Sequence, residues 1–382
     1  MRIALNGMFL GQESTGSGQY TEQLLRALLE LDGGNEYIIE KPGFPQVPGA
    51  ARRGFNKPGF WPLRKLWFEQ IAFPRACRRA GADVAHVPYW ASPIRPTVPT
   101  VVTVHDLIPM LLPLYRGSAW VQLYTRLVAA AARRADAIIT DSLASQADII
   151  RHLRVPAERV HAIYLAADAD CRPVTDEATL AAVRARYGLP ERYILYLGGF
   201  DQRKNLRTLF AAYARLRQAL GSAAPALVVA GRRPEVDTPL FPAPERLARE
   251  LGVDGSVLFT GWVPAEDKPP LYSGALFFAF LSLYEGFGLM PLEAMACGTP
   301  VLASRSSSLP EIVGDGGLLV DPTDLGAVVE AMATLLHDTA LRARLREKAL
   351  AHASRFTWQR TAEQTLAVYK GVHRGLGPIG AP

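Results

Sequence analysis

At 382 residues the chain is too long for one ordinary core, and 49% hydrophobic with 20% charged residues is an ordinary globular composition, so two domains are expected. The net charge of +6 is mild and uneven: residues 1–168 carry 19 Lys+Arg against 14 Asp+Glu and the remainder 23 against 22, which suits an anionic substrate or a membrane surface near the first half, and without an aromatic–basic RNA signature excludes nucleic acid as the partner. Cys77, Cys171 and Cys297 have neither metal spacing nor a disulfide framework, and neither a signal peptide nor a bilayer-length apolar run is present, so a cytoplasmic, reducing compartment is expected.

Short apolar runs alternate with helical patterns along the chain. Strands are expected at Ile3–Asn6, Tyr37–Ile39, Val84–Val87, Val101–His105, Ala137–Thr140 and Val160–Leu165. A second set falls at Tyr193–Leu197, Leu227–Ala230, Val257–Phe259, Leu276–Leu281, Val301–Ala303 and Leu318–Val320. Helical periodicity marks Tyr20–Leu31, Leu206–Leu220 and Leu325–Leu336. Near-continuous apolar strands alternating with helices imply parallel sheets covered on both faces. Two runs of about equal length imply two doubly wound α/β domains. The reading divides the chain into 1–168, a linker 169–190, a second domain 191–356 and a Gly/Pro-rich tail 375–382, with a helix at about 357–374 that could lie back on the first domain.

Five stretches carry candidate chemistry. After the first strand comes Gly7…Gly11…Gly16-Ser-Gly18, an anion-friendly loop before a helix, or a plain surface loop. Val101-Val-Thr-Val-His105 puts a histidine at the carboxyl end of a buried strand, where open α/β sheets bind ligands; a satisfied core histidine is the alternative, and His86 illustrates it. Gly198-Gly-Phe-Asp-Gln-Arg203-Lys204-Asn205 follows a strand with two adjacent cations and a helix that Asn205 could cap, a fit for a diphosphate or a solvated basic pair. Glu285-Gly286-Phe287-Gly288-Leu289-Met-Pro291-Leu-Glu293 joins a glycine turn to a short helix that Gly298 could end. Ionised carboxylates accept hydrogen bonds from vicinal hydroxyls, so Glu285 and Glu293 could hold two parts of one sugar-bearing ligand.

The fifth stretch, 52–79, holds eight basic residues and one acid, interleaved with Phe55, Phe60, Trp61, Trp67, Phe68 and Phe73. It could lie on an anionic membrane, or form a helix that packs Leu66, Trp67 and Ile71 inward and exposes its cations.

E-G-F-G-L-x-P-L-E-A-M-A-C-G-x-P-V resembles the E-x7-E signature of retaining glycosyltransferases of the GT-B fold, most closely glycosyltransferase family four. G-x-x-x-x-R-K-N-L, T-V-H-D and G-S-G-Q-Y resemble its diphosphate motif, active-site histidine and N-terminal glycine loop. The L-W-x-E-Q helix also occurs in related glycosyltransferases, which favours the packed reading of 52–79. The resemblance covers Ile3 to about Lys370. It implies two Rossmann-like domains facing a cleft, the first taking the acceptor and the second a nucleotide sugar. It gives Glu293 the ribose, and Glu285 with the backbone of Phe287–Leu289 the donor-sugar hydroxyls. Arg203 and Lys204 would take the diphosphate, His105 the donor sugar near the reacting carbon, and Gly16–Gly18 phosphate or acceptor. Backbone near Trp262 and Val263 would read the base. No cofactor is implied. Asp168-Ala-Asp170 lies in the expected linker, so metal dependence is not expected. Mannose from a GDP-sugar is favoured and a UDP-hexose is next, moved to a glycan or lipid-linked acceptor in polysaccharide assembly. A nucleotide-sugar 2-epimerase of the same fold and a catalytically silent nucleotide-sugar-binding partner are the alternatives.

Overall fold

The computed structural model describes residues 1–12, 15–31, 34–42 and 61–375. Residues 52–60 of the basic–aromatic stretch and 376–382 of the tail lie outside the described residues. The chain divides into two compact units, Met1–Leu165 with Trp358–Pro382, and Ala166–Thr357.

The first unit is built on β1 (Arg2–Asn6), β2 (Glu36–Glu40), β3 (Val84–Val87), β4 (Thr100–Thr103), β5 (Ala137–Thr140) and β6 (Val160–Ala162), in the order β2-β1-β3-β4-β5-β6. The second carries β7 (Tyr193–Leu197), β8 (Ala226–Ala230), β9 (Val257–Gly261), β10 (Phe277–Phe280), β11 (Val301–Ser304) and β12 (Gly317–Val320), in the order β12-β11-β10-β7-β8-β9. All neighbours pair in parallel. β3, β4, β5, β7 and β10 are buried along their whole length, which is why they read as continuous apolar runs. In each sheet the winding reverses once, between β1 and β3 and between β7 and β10. Such a switch point opens a crevice at the carboxyl ends of the two strands.

The helix Trp358–His373 packs on Gly16–Leu31 within the first unit. It is pinned at two points. The Thr361 hydroxyl donates to the Tyr164 carbonyl (2.7 Å), and Tyr369 Oη meets His86 Nδ1 at 2.6 Å. His86 Nε2 pairs with Thr103 Oγ1 at 2.8 Å, so both ring nitrogens are satisfied. Burial, with a smaller push from His105, holds this imidazole neutral by lowering its pKa to about 3. The segment 169–190 packs into the second unit: Val174 N–H donates to Ser273 Oγ (3.0 Å), and Arg186 and Tyr187 both donate to the Asp267 carboxylate.

The helix beginning at Trp61 departs from the packed reading. Trp67 is 51% exposed, Ile71 38% and Leu63 57%. Residues Phe68–Ala72 form a wide π turn closed by Phe73 N–H donating to the Phe68 carbonyl, an i to i+5 bond. That extra residue turns Phe68 and Phe73, five apart, to the same buried side, with Cys77 one ordinary turn later. Trp67 and Ile71 are rotated outward as a consequence.

Candidate active site

Arg203 and Lys204 follow β7, and Glu285 follows β10, so the switch point of the second sheet brings all three together. Glu285 Oε2 lies 2.7 Å from Arg203 Nη1, and Oε1 lies 2.6 Å from Lys204 Nζ. Asp201 completes the cluster, 3.0 Å from Arg203 Nε. Lys204 is almost fully buried and its ammonium sits 4.8 Å from the centre of the Phe280 ring. Burial pushes the Glu285 carboxyl up, but the Lys204 and Arg203 charges more than reverse this and hold it below its ordinary value. Burial lowers the Lys204 ammonium further than Glu285 restores it. Arg203 Nη1 also donates to the Tyr284 carbonyl (3.1 Å), fixing the guanidinium to the turn that carries Glu285.

Asn205 stands at the N-cap of Leu206–Leu220 but does not cap it. Its backbone is left-handed (φ 55°), which carries the side chain away from the first helical N–H groups. Its Oδ1 instead accepts from the Thr208 hydroxyl and its Nδ2 donates to the Pro322 carbonyl.

The helix Leu289–Ala296 opens at Gly288, whose φ of 119° and lack of a side chain leave the first turn without a side-chain cap. A Cβ at Gly288 would also lie 2.8 Å from Leu309. Pro291 sits in the first turn, and the helix closes with Gly298 and Thr299 N–H groups returning to the Met295 and Ala294 carbonyls. Ser308 holds the turn from behind by donating to the carbonyls of Glu285 and Phe287, and Ser307 Oγ accepts from Glu285 N–H. An N-terminal turn without a side-chain cap, beside two cations, favours negative charge by both dipole and charge.

Glu293 projects from this helix but belongs to a second group. It is buried, with Tyr272 Oη donating to Oε2 (2.9 Å) and Lys268 Nζ 3.4 Å from Oε1. Burial raises its carboxyl above the ordinary value despite Lys268. Trp262, just past β9, is 55% exposed with the Arg232 guanidinium 5.0 Å over its ring; Val263 is buried.

In the first unit His105 lies two residues beyond β4. Its Nδ1 is 2.8 Å from Asp141 Oδ2, at the end of β5. Burial alone would lower the imidazole; the Asp141 charge and hydrogen bond, with smaller help from Asp106 and the Pro88 carbonyl, raise it above the ordinary value. Gly16 and Gly18 open the helix Gly16–Leu31. At Gly18 a Cβ would lie 2.2 Å from the Gln12 carbonyl oxygen, so close backbone packing demands glycine there; nothing lies within 4 Å of one at Gly16.

Sequence reasoning missed Asp141, Asp201, Lys268 and Tyr272. Asp201 was within reach, two residues before Arg203. The other three come from separate elements, and no local spacing signals them. Among the described residues no group of three or more His, Cys, Asp or Glu side chains could hold a metal ion, and no helix is long and apolar enough to cross a membrane.

Two family models match, Glycosyltransferase Family 4 over residues 14–170 and Glycosyl transferases group 1 over residues 183–352. The O-antigen chain mannosyltransferase B of Escherichia coli is 33% identical over 374 residues, spanning 93% of this chain and 96% of that protein. The chain belongs to glycosyltransferase family 4. A D-inositol 3-phosphate glycosyltransferase of Salinispora arenicola is 34% identical over 255 residues, 64% of this chain and 56% of that protein. The fold of this glycosyltransferase is that of the sucrose-phosphate synthase from Thermosynechococcus elongatus, with a TM-score of 0.76 at 24% identity over 98% of this chain and 100% of that one. Anabaena HepE, solved with UDP-glucose, gives a TM-score of 0.72 at 20% identity, over 97% of this chain and 100% of that one. Two doubly wound parallel sheets make this the expected GT-B fold, and the protein is an enzyme of sugar transfer.

Proposed function

We propose that this glycosyltransferase moves mannose from GDP-mannose to a glycan acceptor, with retention of configuration and without a metal ion. The observation that carries the reading is the Arg203–Lys204–Glu285 cluster at the second switch point, beside a helix N-terminus without a side-chain cap. Breaking a sugar–diphosphate bond makes an oxocarbenium-like sugar and an anionic leaving group. Fixed cations and oriented backbone N–H groups stabilise that anion with little reorganisation, and one such donor is worth on the order of 3 kcal/mol in barrier. Glu285 keeps the two cations side by side against their repulsion, and its remaining lone pairs can accept donor-sugar hydroxyls. Mannose is favoured by the identity to the Escherichia coli mannosyltransferase over nearly its whole length.

We assign Glu293, steadied by Tyr272 and Lys268, to the nucleotide ribose. The backbone of Gly286, Phe287, Gly288 and Leu289 takes phosphate and donor sugar, and that near Trp262 and Val263 the base. His105 serves the donor sugar near the reacting carbon. Its Nδ1 is engaged with Asp141, so the buried Nε2, which has no hydrogen-bond partner, is the atom assigned to a sugar oxygen. Gly16 and Gly18 are assigned to phosphate or acceptor. The first unit takes the acceptor and the second the donor. Peripheral contact with an anionic membrane is part of the reading, favoured by the outward face of Leu63, Trp67 and Ile71. Trp67 shares a shallow depression with Arg75, Arg78 and Arg79.

The test is nucleotide release from GDP-mannose, UDP-glucose, ADP-glucose and dTDP-glucose with a neutral mannose-terminated oligosaccharide glycoside, in buffer containing EDTA. GDP release with an α-linked product by NMR is expected. Interconversion of donors without an acceptor would identify an epimerase, and binding without release a silent partner. A β-linked product would refute retention, and loss of activity in EDTA would refute metal independence.

A further inference from the structure

The serine run Ser304-Arg-Ser-Ser-Ser308, at the end of β11, has no part in the reading above. Three of its hydroxyls reach the turn that carries Glu285. Ser304 donates to the Ser282 carbonyl, Ser307 Oγ accepts from Glu285 N–H at 2.8 Å, and Ser308 donates to the carbonyls of Glu285 (3.0 Å) and Phe287. Glu285 is therefore held on both sides of its α-carbon, at the N–H by Ser307 and at the carbonyl by Ser308. In a trans peptide the N–H points opposite to the carbonyl, so Ser308 also turns the N–H groups of Gly286 and Gly288 away from the serine run.

Ser307 does this from a backbone that serine seldom takes. Its φ is 48°, and among the described residues the other non-glycine residues with positive φ are Arg154 and Asn205. Arg154 ends a helix, where left-handed backbone is usual, and asparagine tolerates that conformation. Neither reason applies to Ser307. Glycine would adopt the same backbone freely. What serine supplies and glycine lacks is the hydroxyl, and that hydroxyl sits on Glu285 N–H. Strained residues gather at functional sites where the surrounding structure over-determines them. Here the next residue, Ser308, is fully buried, bonded to the turn through its hydroxyl and to Glu311 and Ile312 N–H through its carbonyl.

We propose that Ser307 is a positioning residue for sugar transfer: its hydroxyl fixes the Glu285 backbone so that the carboxylate spans Arg203 and Lys204, and local backbone strain accompanies that placement. The proposal rests on the donor-site reading and adds a residue that acts through Glu285 without touching substrate.

The test compares Ser307→Gly, which removes the hydroxyl and relaxes the backbone, with Ser307→Ala, which removes the hydroxyl and keeps the strain. The measurements are kcat and KM for GDP-mannose, the Kd of GDP, the Tm, and amide hydrogen exchange of a peptide spanning 283–289 without ligand. Both variants should lose at least tenfold in kcat, since a catalytic group displaced by about 1 Å can lose on the order of a hundredfold. KM and the Kd of GDP should stay within threefold of wild type. Exchange should be several-fold faster in both variants. Ser307→Gly should melt above Ser307→Ala, because only glycine is at ease in the left-handed backbone, while the two lose kcat alike. A kcat of Ser307→Gly within twofold of wild type overturns the proposal, as does a kcat that follows Tm across the two variants, a Kd of GDP that weakens as much as kcat falls, or exchange unchanged from wild type. If the wild type releases nucleotide from none of the four donors, the donor reading fails on its own, and exchange alone then decides whether Ser307 holds the turn: faster exchange in Ser307→Gly keeps that hold, and unchanged exchange removes it.

Discussion

Glu285 and Glu293 lie in one nine-residue stretch, yet their surroundings drive them in opposite directions. Two cations hold the Glu285 carboxyl below its ordinary 4.5, whereas burial lifts Glu293 above that value. Replacing Glu285 by Gln keeps the shape and strands Arg203 and Lys204 beside each other with Asp201 alone to balance them. Removing one partner of a buried pair costs about 3 kcal/mol or more. Glu285→Gln should therefore lower stability by roughly that amount at pH 7 in urea denaturation, and GDP should raise its Tm more than it raises that of wild type, because a diphosphate restores the missing negative charge. The pH dependence has a defined sign. A depressed carboxyl contributes its full stability above the unfolded value near 4.5 and loses it as pH falls through the lower folded value. The wild-type and Glu285→Gln stability curves should converge in that acid range and stay apart at neutral pH. A gap unchanged down to pH 3 would show that the cations do not depend on Glu285.

Among the elements, the strands were the most legible. All twelve expected strands exist; the signal is plainest where a parallel strand is buried along its whole length and must be apolar throughout, as in β3, β4, β5, β7, β10 and β11. The helix Leu206–Leu220 was equally plain, but its N-cap was misread, since nothing in the letters says that Asn205 takes a left-handed backbone. The basic–aromatic helix failed for a related reason. A 3.6-residue period assigns Trp67 and Ile71 to the inner face, and one wide turn at Phe68–Ala72 rotates them to the outside. The pairing of His105 with Asp141, 36 residues on, was likewise invisible, as only the order of β4 and β5 brings them together. The outward face now has a testable consequence. Leu63, Trp67 and Ile71 stand at helical spacing, and Trp67 shares its depression with three arginines. Co-sedimentation with vesicles should be several-fold greater for anionic than for neutral lipid and should weaken with added salt. Trp67→Ser/Ile71→Ser should remove most of it. Equal sedimentation with both lipids would end the membrane reading.

The whole molecule is two sheets with two cores, and the chain returns to the first unit through one final helix. Every contact described for the Arg203–Lys204–Glu285 and Glu293 groups lies within Ala166–Thr357, as do Trp262 and Val263. The fragment 166–357 expressed alone should therefore fold cooperatively and bind GDP with a Kd within about threefold of the intact chain, while transferring no sugar. The first unit is not separable in the same way. Without Trp358–His373 it loses the element packed on the helix Gly16–Leu31, including Trp358 beside Tyr20, and the buried Val368 and Tyr369, and His86 loses its hydrogen bond to the Tyr369 hydroxyl. Burying one large apolar side chain is worth about 1.5–3 kcal/mol, and a buried polar atom left unpaired costs about 1–3 kcal/mol. Several such losses together match the 5–15 kcal/mol that a domain usually has in hand. A fragment ending at Leu165 should be insoluble or bind a hydrophobic dye without a cooperative melt, and adding residues 358–375 through a flexible linker should restore the melt. If 1–165 melts cooperatively by itself, the final helix is an accessory to that core. If 166–357 folds but fails to bind GDP, the nucleotide site needs residues beyond the second unit.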